Sequence, residues 1–165
     1  DVKQSLTEHP RLSIGYLYTV ARCVADKWKW ETAHLTPGAG IVMLRKFNDE
    51  WNVLGMWANG GYDIPKGHVE DGEEFMETAI RETFEESDIN EINFQFGHSY
   101  IALDYLRVYV AVTTQQAKIK PNYRGFMEHD HFSWLTFEVM TEKTYDYLKP
   151  AIEWAREEAL SENTD

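Results

Sequence analysis

Cysteine is nearly absent from this chain of 165 residues, and features that define several large classes of protein are missing as well. The single cysteine, Cys23, excludes an internal disulfide framework and a cysteine-based zinc site, so we expect a cytoplasmic protein. No apolar run approaches the roughly 20 residues needed to cross a bilayer, so we expect no membrane partner. Only 16 basic residues stand against 28 acidic ones, and the resulting charge of −12 argues against binding to duplex DNA.

The acidic residues are concentrated in one short stretch of the chain. Residues 67–91 contain ten acidic residues and a single base, Arg81. Within this stretch Glu82, Glu85 and Glu86 are spaced at i, i+3 and i+4, which places them on one face of a helix. A helix built for stability alone would avoid such adjacent like charges. The stretch is therefore either a solvated acidic face or a site for a hard cation with oxygen ligands, such as Mg²⁺ or Mn²⁺.

Hydrophobic periodicity and turn residues predict strands that are interrupted irregularly by helices. Helical patterns cover residues 11–30, 73–87 and 143–160. Strand patterns cover residues 40–47, 51–57, 90–96 and 131–137, with two further strands within residues 99–114 around a turn near Asp104. Turns are predicted at residues 48–50 and 59–61, which are rich in Asn, Asp and Gly. This order favours an α/β (α+β) fold with a central mixed sheet and helices on both faces.

The chain length corresponds to one domain, which we expect to span residues 1–165, with residues 1–36 as an N-terminal extension of unassigned role. The helical patterns also predict core contacts. They are Phe75, Ala79 and Phe84 in the second helix and Tyr147, Ile152, Trp154 and Leu160 in the third.

The acidic stretch carries a spaced motif, GHVEDGEEFMETAIRETFEESDI, over residues 67–89. The motif resembles the signature of the Nudix hydrolase family. The matching positions are Gly67, Glu73, Arg81, Glu82, Glu85, Glu86 and Ile89. Two positions depart from the pattern: Thr83 replaces a bulkier apolar residue, and Asp88 replaces the glycine that usually ends the helix. Asp is one of the few residues that tolerates the left-handed conformation of a helix end, so we expect Asp88 to be accepted there.

The resemblance implies a Nudix α/β/α sandwich and a set of site residues. Mg²⁺ or Mn²⁺ would be held by Glu82, Glu85 and Glu86 with the backbone carbonyl of Gly67. The resemblance also implies pairing of Arg81 with carboxylates of the motif such as Glu73, and we count both residues with the catalytic set because this pairing fixes the loops around the helix. The activity implied is attack of water on phosphorus in a nucleoside diphosphate linked to another group. Bound divalent cations supply the electrostatic stabilisation that this reaction needs.

Two flanking segments are similar to those of the diadenosine tetraphosphate hydrolase subfamily of this family. The first is YDIPKGHVEDGE at residues 62–73, and the second is EHDHFSW at residues 128–134. The resemblance implies that Lys66 contacts a phosphate and that Glu128 acts as a metal ligand or as the base. We further expect substrate contacts from Tyr100, Tyr105 and Arg107, with stacking of adenine on a tyrosine.

These features predict Mg²⁺- or Mn²⁺-dependent hydrolysis of a nucleoside polyphosphate, with a dinucleoside tetraphosphate cut asymmetrically to ATP and AMP. Two alternatives within the fold stay open. One is trimming of an RNA 5′ cap or triphosphate, and the other is cleavage of a diphosphoinositol phosphate or a nucleotide sugar. A non-catalytic module that senses nucleotides is an alternative of another class, although the intact carboxylate set argues against it.

Overall fold

The computed structural model describes residues 37–161, and every structural statement below concerns this part of the chain. The helix predicted over residues 11–30, the extension of residues 1–36 and Cys23 lie outside the described residues. Three α-helices and a short 3₁₀ turn accompany the strands. Their bounds are α1 (Phe75–Ser87), α2 (Phe137–Lys143), the 3₁₀ turn (Asp146–Leu148) and α3 (Lys149–Ser161).

The described residues form one mixed sheet of seven strands. The strands are β1 (Gly38–Phe47), β2 (Glu50–Ala58), β3 (Gly61–Asp63), β4 (Lys66–His68), β5 (Tyr100–Leu103), β6 (Leu106–Val112) and β7 (His131–Thr136). The main order is β3-β2-β1-β6-β5, with β4 pairing with β1 and β7 pairing with β2. Strands β1 and β6 run parallel and the other pairs are antiparallel, which confirms the predicted mixed sheet.

The predicted turns are confirmed by backbone angles that favour their residues. Asn48 and Asp49 have φ of 50° and 65°, and Asn59 and Gly60 have φ of 52° and 83°. A turn with two positive φ values matches the twist of an antiparallel hairpin, and Asn, Asp and Gly adopt it at the lowest cost. Asp104, with φ of 47°, turns β5 into β6 in the same region that the sequence indicates.

Alternate residues of β1 supply two separate cores, one on each face of the sheet. Val42 and Leu44 face the first core, which α2 and α3 cover through residues such as Ile152. Ile41 and Met43 face the second core, which α1 covers through Ala79. All six of these side chains are fully buried. Helices therefore lie on both faces of the sheet, as the sequence predicts.

Several local predictions are wrong. Residues 90–96 form no strand, because their only ladder contact is an isolated bridge between Asn93 and Val112. Helix α2 was not predicted, and α3 begins later than residue 143. Among the predicted core contacts, Phe84, Tyr147 and Leu160 are exposed by 41%, 52% and 47%.

In the described part of the chain, no helix combines the length and the apolar character that a membrane crossing requires.

Candidate active site

A close approach between β4 and α1 places the helix carboxylates beside the sheet. A Cβ atom at Gly67 would lie 2.1 Å from Glu82 Cδ, so only glycine allows the Glu82 side chain to rest against this strand. At its far end the helix stops at Asp88, whose φ of 63° is left-handed and whose N–H donates to Phe84 O at 2.9 Å. The prediction that Asp88 would be tolerated in this conformation is confirmed.

The buried side of α1 consists of small and hydroxylated residues, which lets the helix pack closely on the sheet. Thr78, Ala79, Thr83 and Ser87 are buried. The Thr83 hydroxyl donates to Ala79 O at 2.7 Å, and the Ser87 hydroxyl donates to Thr83 O at 2.5 Å. Because these hydroxyls are satisfied by the preceding helical turn, their burial leaves no unpaired polar group. These hydrogen bonds explain how Thr83 is accommodated at a position where the family signature usually has a bulkier apolar residue.

Arg81 joins the loop before α1 to the carboxylates on the helix. Its Nε lies 2.8 Å from Glu73 Oε2, and its Nη1 lies 2.8 Å from Glu82 Oε1 and 3.1 Å from Glu85 Oε2. Its Nη2 also donates to the His68 carbonyl at 3.0 Å. Hydrogen bonds from Arg81 and Thr78 lower the pKa of Glu73 to about 2. The arginine thus fixes the loop-helix unit, in the way that the resemblance implies.

The remaining carboxylates of the site destabilise one another's charged forms. Burial raises the pKa of Glu82 to about 7, and the neighbouring carboxylates of Glu85 and Glu128 act in the same direction, against Arg81. Burial also raises the pKa of Glu86 well above its usual value, with contributions from Asp63, Glu82 and Glu128. Acidic groups from α1 and from the segment before β7 therefore lie near enough to act on one another electrostatically.

This donor set fits a hard divalent cation. Carboxylate oxygens are the ligands that such cations prefer, and a cation would relieve the repulsion that raises the pKa values of Glu82 and Glu86. Among residues 37–161 no three acidic, His or Cys side chains already surround one point. In this arrangement Arg81 binds Glu82 and Glu85 instead. Glu82 and Glu85 would have to turn partly from the guanidinium to hold a cation together with Glu86.

Lys66 is held by an acidic residue that the sequence analysis did not single out. The Lys66 Nζ atom lies 2.5 Å from Asp63 Oδ2, and His129 Nε2 lies 3.6 Å from the same oxygen. Burial by itself would raise the pKa of Asp63, but the Lys66 ammonium and His129 hold it below its usual value. The backbone N–H of Lys66 donates to Glu86 Oε2 at 3.2 Å. Lys66 therefore connects Asp63 to the carboxylates of α1.

Glu128 lies on an exposed segment that is fixed at several points. Its Oε1 accepts a hydrogen bond from Asn122 Nδ2 at 3.2 Å. Asn122 in turn organises the preceding loop, because its Oδ1 accepts from the N–H groups of Arg124 and Phe126. The N–H of Asp130 donates to Trp57 O at 2.8 Å, which joins the segment to β2. The sequence contained no spacing signal that pointed to Asn122.

Two of the residues expected to contact substrate, Arg107 and Tyr100, form a stacked group with Phe75 beside the start of α1. The guanidinium of Arg107 lies 4.0 Å from the ring centre of Phe75 and 4.5 Å from that of Tyr100. Within residues 37–161 no carboxylate pairs with Arg107. Tyr100 and Tyr105 are exposed by 44% and 48%. The Tyr105 carbonyl accepts from Gly38 N–H at 2.8 Å, which places this turn at the same end of β1 as β4.

Comparison with known proteins agrees with the fold and with the motif. A model of the NUDIX domain matches residues 34–155. Comparison with curated proteins finds no matching sequence.

Many solved structures resemble the chain. An Ap4A hydrolase from C. elegans, in a binary complex, has a TM-score of 0.56 and 22% identity over 72% of this chain and 93% of its own. A NUDIX hydrolase structure from Listeria monocytogenes has a TM-score of 0.59 and 18% identity over 77% of this chain and 95% of its own. The E. coli dihydroneopterin triphosphate pyrophosphohydrolase has a TM-score of 0.53 and 18% identity over 71% of this chain and 92% of its own. At such identities the likeness concerns the fold.

The family model covers most of the chain, and the motif lies on a helix that is packed against the mixed sheet. The chain therefore belongs to the NUDIX family. It is an enzyme, a pyrophosphohydrolase of the kind that acts on nucleoside polyphosphates. Nudix hydrolases generally use divalent metals such as Mg²⁺, in agreement with the carboxylate chemistry of this site.

Proposed function

We propose that this enzyme hydrolyses a dinucleoside tetraphosphate asymmetrically, giving ATP and AMP. The observation that carries the proposal is the acidic group around Glu82 and Glu86, whose pKa values are raised by burial and by neighbouring carboxylates, among them Glu128 in both cases. An acidic site of this kind would repel a polyphosphate unless cations were bound. Mg²⁺ or Mn²⁺, held by Glu82, Glu85, Glu86 and the Gly67 carbonyl, would neutralise phosphate charge and activate water.

The protein side chains would then position the substrate and handle the proton. Glu128 is exposed, and its charge adds to the repulsion that raises the pKa values of Glu82 and Glu86, so we assign it the role of a metal ligand or of the base that accepts a proton from water. Arg81 and Glu73 keep the loop and the helix in register. Lys66, whose ammonium is paired with Asp63, retains an N–H donor for a phosphate oxygen.

The nucleoside end of the substrate would lie by the stacked group beside the start of α1. Arg107 lacks a carboxylate partner among the described residues, so its guanidinium is available for a phosphate. The exposed rings of Tyr100 and Tyr105 offer surfaces for adenine. Support for the dinucleotide itself comes from the PKGH and EHDHFSW segments and from the fold that the chain shares with the C. elegans Ap4A hydrolase.

The test is a panel of nucleotides incubated with Mg²⁺ or Mn²⁺ in ¹⁸O water, followed by separation and mass analysis of the products. We expect ATP and AMP from diadenosine tetraphosphate, with ¹⁸O in one product only. Two ADP molecules as the main product would contradict asymmetric cleavage. Absence of dinucleotide cleavage, together with trimming of 5′-triphosphorylated RNA or cleavage of a nucleotide sugar, would replace the substrate and keep the family. Metal-dependent binding without turnover of any nucleotide would favour a sensor.

A further inference from the structure

Asp63 is a buried carboxylate at the end of β3 to which neither the motif nor the proposed mechanism assigns a role. Its relative exposure is 7%, and a charged group at such a depth is tolerated only when it is paired. Buried ion pairs contribute little net stability, because desolvation offsets the attraction between the charges. The pairing of Asp63 therefore calls for an explanation other than stability.

Both carboxylate oxygens of Asp63 are used, and they reach different parts of the chain. Oδ1 accepts from the N–H of Ile64 at 2.8 Å, which fixes the orientation of the carboxylate. Oδ2 lies 2.5 Å from Lys66 Nζ at the start of β4 and 3.6 Å from His129 Nε2 just before β7. The His129 side chain is itself buried, with 6% exposure. Asp63 thus joins three segments of backbone at one point.

Each partner of Asp63 leads directly to a residue of the candidate active site. The N–H of Lys66 donates to Glu86 Oε2 at 3.2 Å, so the position of Lys66 affects a carboxylate of α1. His129 follows Glu128 in the chain, so anchoring its imidazole restricts where the Glu128 carboxylate is placed. A shift of about 1 Å in such a group is enough to reduce turnover strongly.

We propose that Asp63 is a positioning residue for the hydrolysis, which holds the Lys66 ammonium and the Glu128 segment in register with Glu86. The proposal rests on the proposed function for the part that Glu128 plays. Asp63 touches neither substrate nor water in this scheme and acts through Lys66 and His129. Groups that orient the residues around a metal commonly affect activity by about 10–100-fold.

The ion pair between Lys120 and Asp88 provides a matched control. Its atoms lie 3.1 Å apart, and Asp88 ends the same helix that carries the carboxylates. The pair is more exposed than the Asp63 pair, with side chains exposed by 31% and 37%. Among the described residues, no hydrogen bond or ion pair joins Asp88 or Lys120 to residues 126–131. Asp88→Asn therefore removes an aspartate charge near the helix without loosening the proposed connection.

The first measurement is hydrogen exchange of the metal-free full chain, which needs no substrate. We expect Asp63→Asn to speed exchange of backbone amides in residues 64–68 and 126–131, with the melting temperature changed far less than the exchange rates. Asp88→Asn should leave exchange in both segments as in the wild type. Unchanged exchange in Asp63→Asn would overturn the proposal, whatever the enzyme hydrolyses.

The second measurement is a double-mutant comparison, using the panel nucleotide that the wild type turns over fastest. We expect Asp63→Asn to lower kcat about 10–100-fold in the wild type and by a clearly smaller factor in a Glu128→Gln background, because only the connection through Lys66 then remains to be lost. The same large factor in both backgrounds would show a general structural effect and overturn the proposal. Wild-type activity of Glu128→Gln would instead refute the role of Glu128 in the proposed function. The hydrogen-exchange rates of Asp63→Asn would then be the measurement that decides whether Asp63 is a positioning residue.

A pair of substitutions at His129 keeps the test decisive if Asp63→Asn does not fold. His129→Gln retains an N–H donor at about the same reach, whereas His129→Leu removes the donor. We expect kcat of His129→Gln to stay within about threefold of the wild type and that of His129→Leu to fall about 10–100-fold. Equal effects of the two substitutions on kcat and on exchange of residues 126–131 would contradict the connection through Asp63.

Discussion

Helices α1 and α3 are both 13 residues long and rich in glutamate, yet they serve the protein in different ways. The buried face of α3 is apolar, with Ala151, Ile152, Ala155 and Ala159, while its Glu153 and Glu157 are exposed. Helix α1 buries hydroxylated residues and keeps Glu82 and Glu86 partly covered. The acidic content of a helix therefore does not reveal its role, whereas the environment of each carboxylate does.

The consequence of this difference is that α3 supports the fold and α1 supports the site. An exposed glutamate on α3 is screened by water, so changing it costs little. A partly buried glutamate on α1 is held near other carboxylates at an energetic cost that a bound cation removes. Substituting a glutamate, adding a divalent metal or changing the pH should therefore have a larger effect at α1 than at α3.

The largest expected effect is on turnover, from a substitution that removes one charge from α1. Glu85→Gln preserves the shape of the side chain, and we expect kcat to fall by about 10² or more because several kcal/mol of charge stabilisation by bound metal is at risk. Glu157→Gln on α3 is the matched control and should keep kcat and the melting temperature near wild type. Steady-state kinetics at saturating Mg²⁺ gives the answer, and near wild-type turnover in Glu85→Gln would remove Glu85 from the metal set.

The next effect is stabilisation by a divalent cation. Mg²⁺ binds the folded site and not the unfolded chain, so at about 100 times its dissociation constant it should add about 2.7 kcal/mol to the free energy of unfolding. Melting curves with MgCl₂ and with NaCl at the same ionic strength separate binding from screening. Equal stabilisation by both salts would mean that α1, like α3, carries only a solvated acidic face.

A smaller effect is expected from pH in the absence of metal. The pKa of Glu82 is raised from 4.5 in the unfolded chain to about 7 in the fold, so the folded state binds more protons between these values. Stability should therefore decrease as pH rises from about 5 to about 7, by an amount of order 1 kcal/mol because the site is partly solvated. Glu86, whose pKa is also raised, acts in the same direction.

Chemical denaturation at several pH values, with EDTA present, measures this dependence. Glu82→Gln should flatten the curve between pH 5 and 7, and Glu157→Gln should leave its slope unchanged. An increase of stability over this range in the metal-free wild type would have the wrong sign for a carboxylate with a raised pKa.

The smallest effect concerns the buried polar face of α1. Thr83→Val replaces a hydroxyl by a methyl group and removes a hydrogen bond that lies within the helix, so we expect a change of less than about 1 kcal/mol in unfolding free energy. Thr83→Leu adds volume to a fully buried position and should cost about 1–3 kcal/mol. Urea denaturation of the two variants checks the order. A stable Thr83→Leu variant would show that α1 packs less closely than its small residues indicate.

The turns and the carboxylate spacing were predictable because they depend on near neighbours in the chain. Asn48 and Asp49 tolerate the positive φ values of a hairpin turn, and Asp88 tolerates that of a helix end. The i, i+3 and i+4 spacing of Glu82, Glu85 and Glu86 requires only that residues 73–87 form a helix, and α1 does so. Phe132 and Trp134 are two residues apart in the predicted strand 131–137 and so lie on one face of β7, and both rings pack against the second core.

Other features were decided by contacts between distant segments. Phe84 was expected in the core, but Thr83 and Ser87 face the sheet because only small side chains fit between α1 and its strands. Residues 90–96 have a strand-like pattern. Both edges of β6 are already paired, with β1 and with β5, so residues 90–96 form only the isolated bridge at Asn93. Local periodicity describes what a segment can form, and the available partners determine what it does form.

The sequence by itself determined the family signature and the acidic face of α1, because each depends on the spacing of residues within one segment. It also indicated a mixed sheet, because the strand and helix patterns follow one another irregularly along the chain. Only the tertiary structure brought Asp63, Lys66 and His129 together and placed Glu128 near enough to α1 for its charge to act on Glu82 and Glu86. The physical reason is that burial and charge interactions act through space. A carboxylate's protonation and its pairing are therefore set by groups that lie far away along the chain.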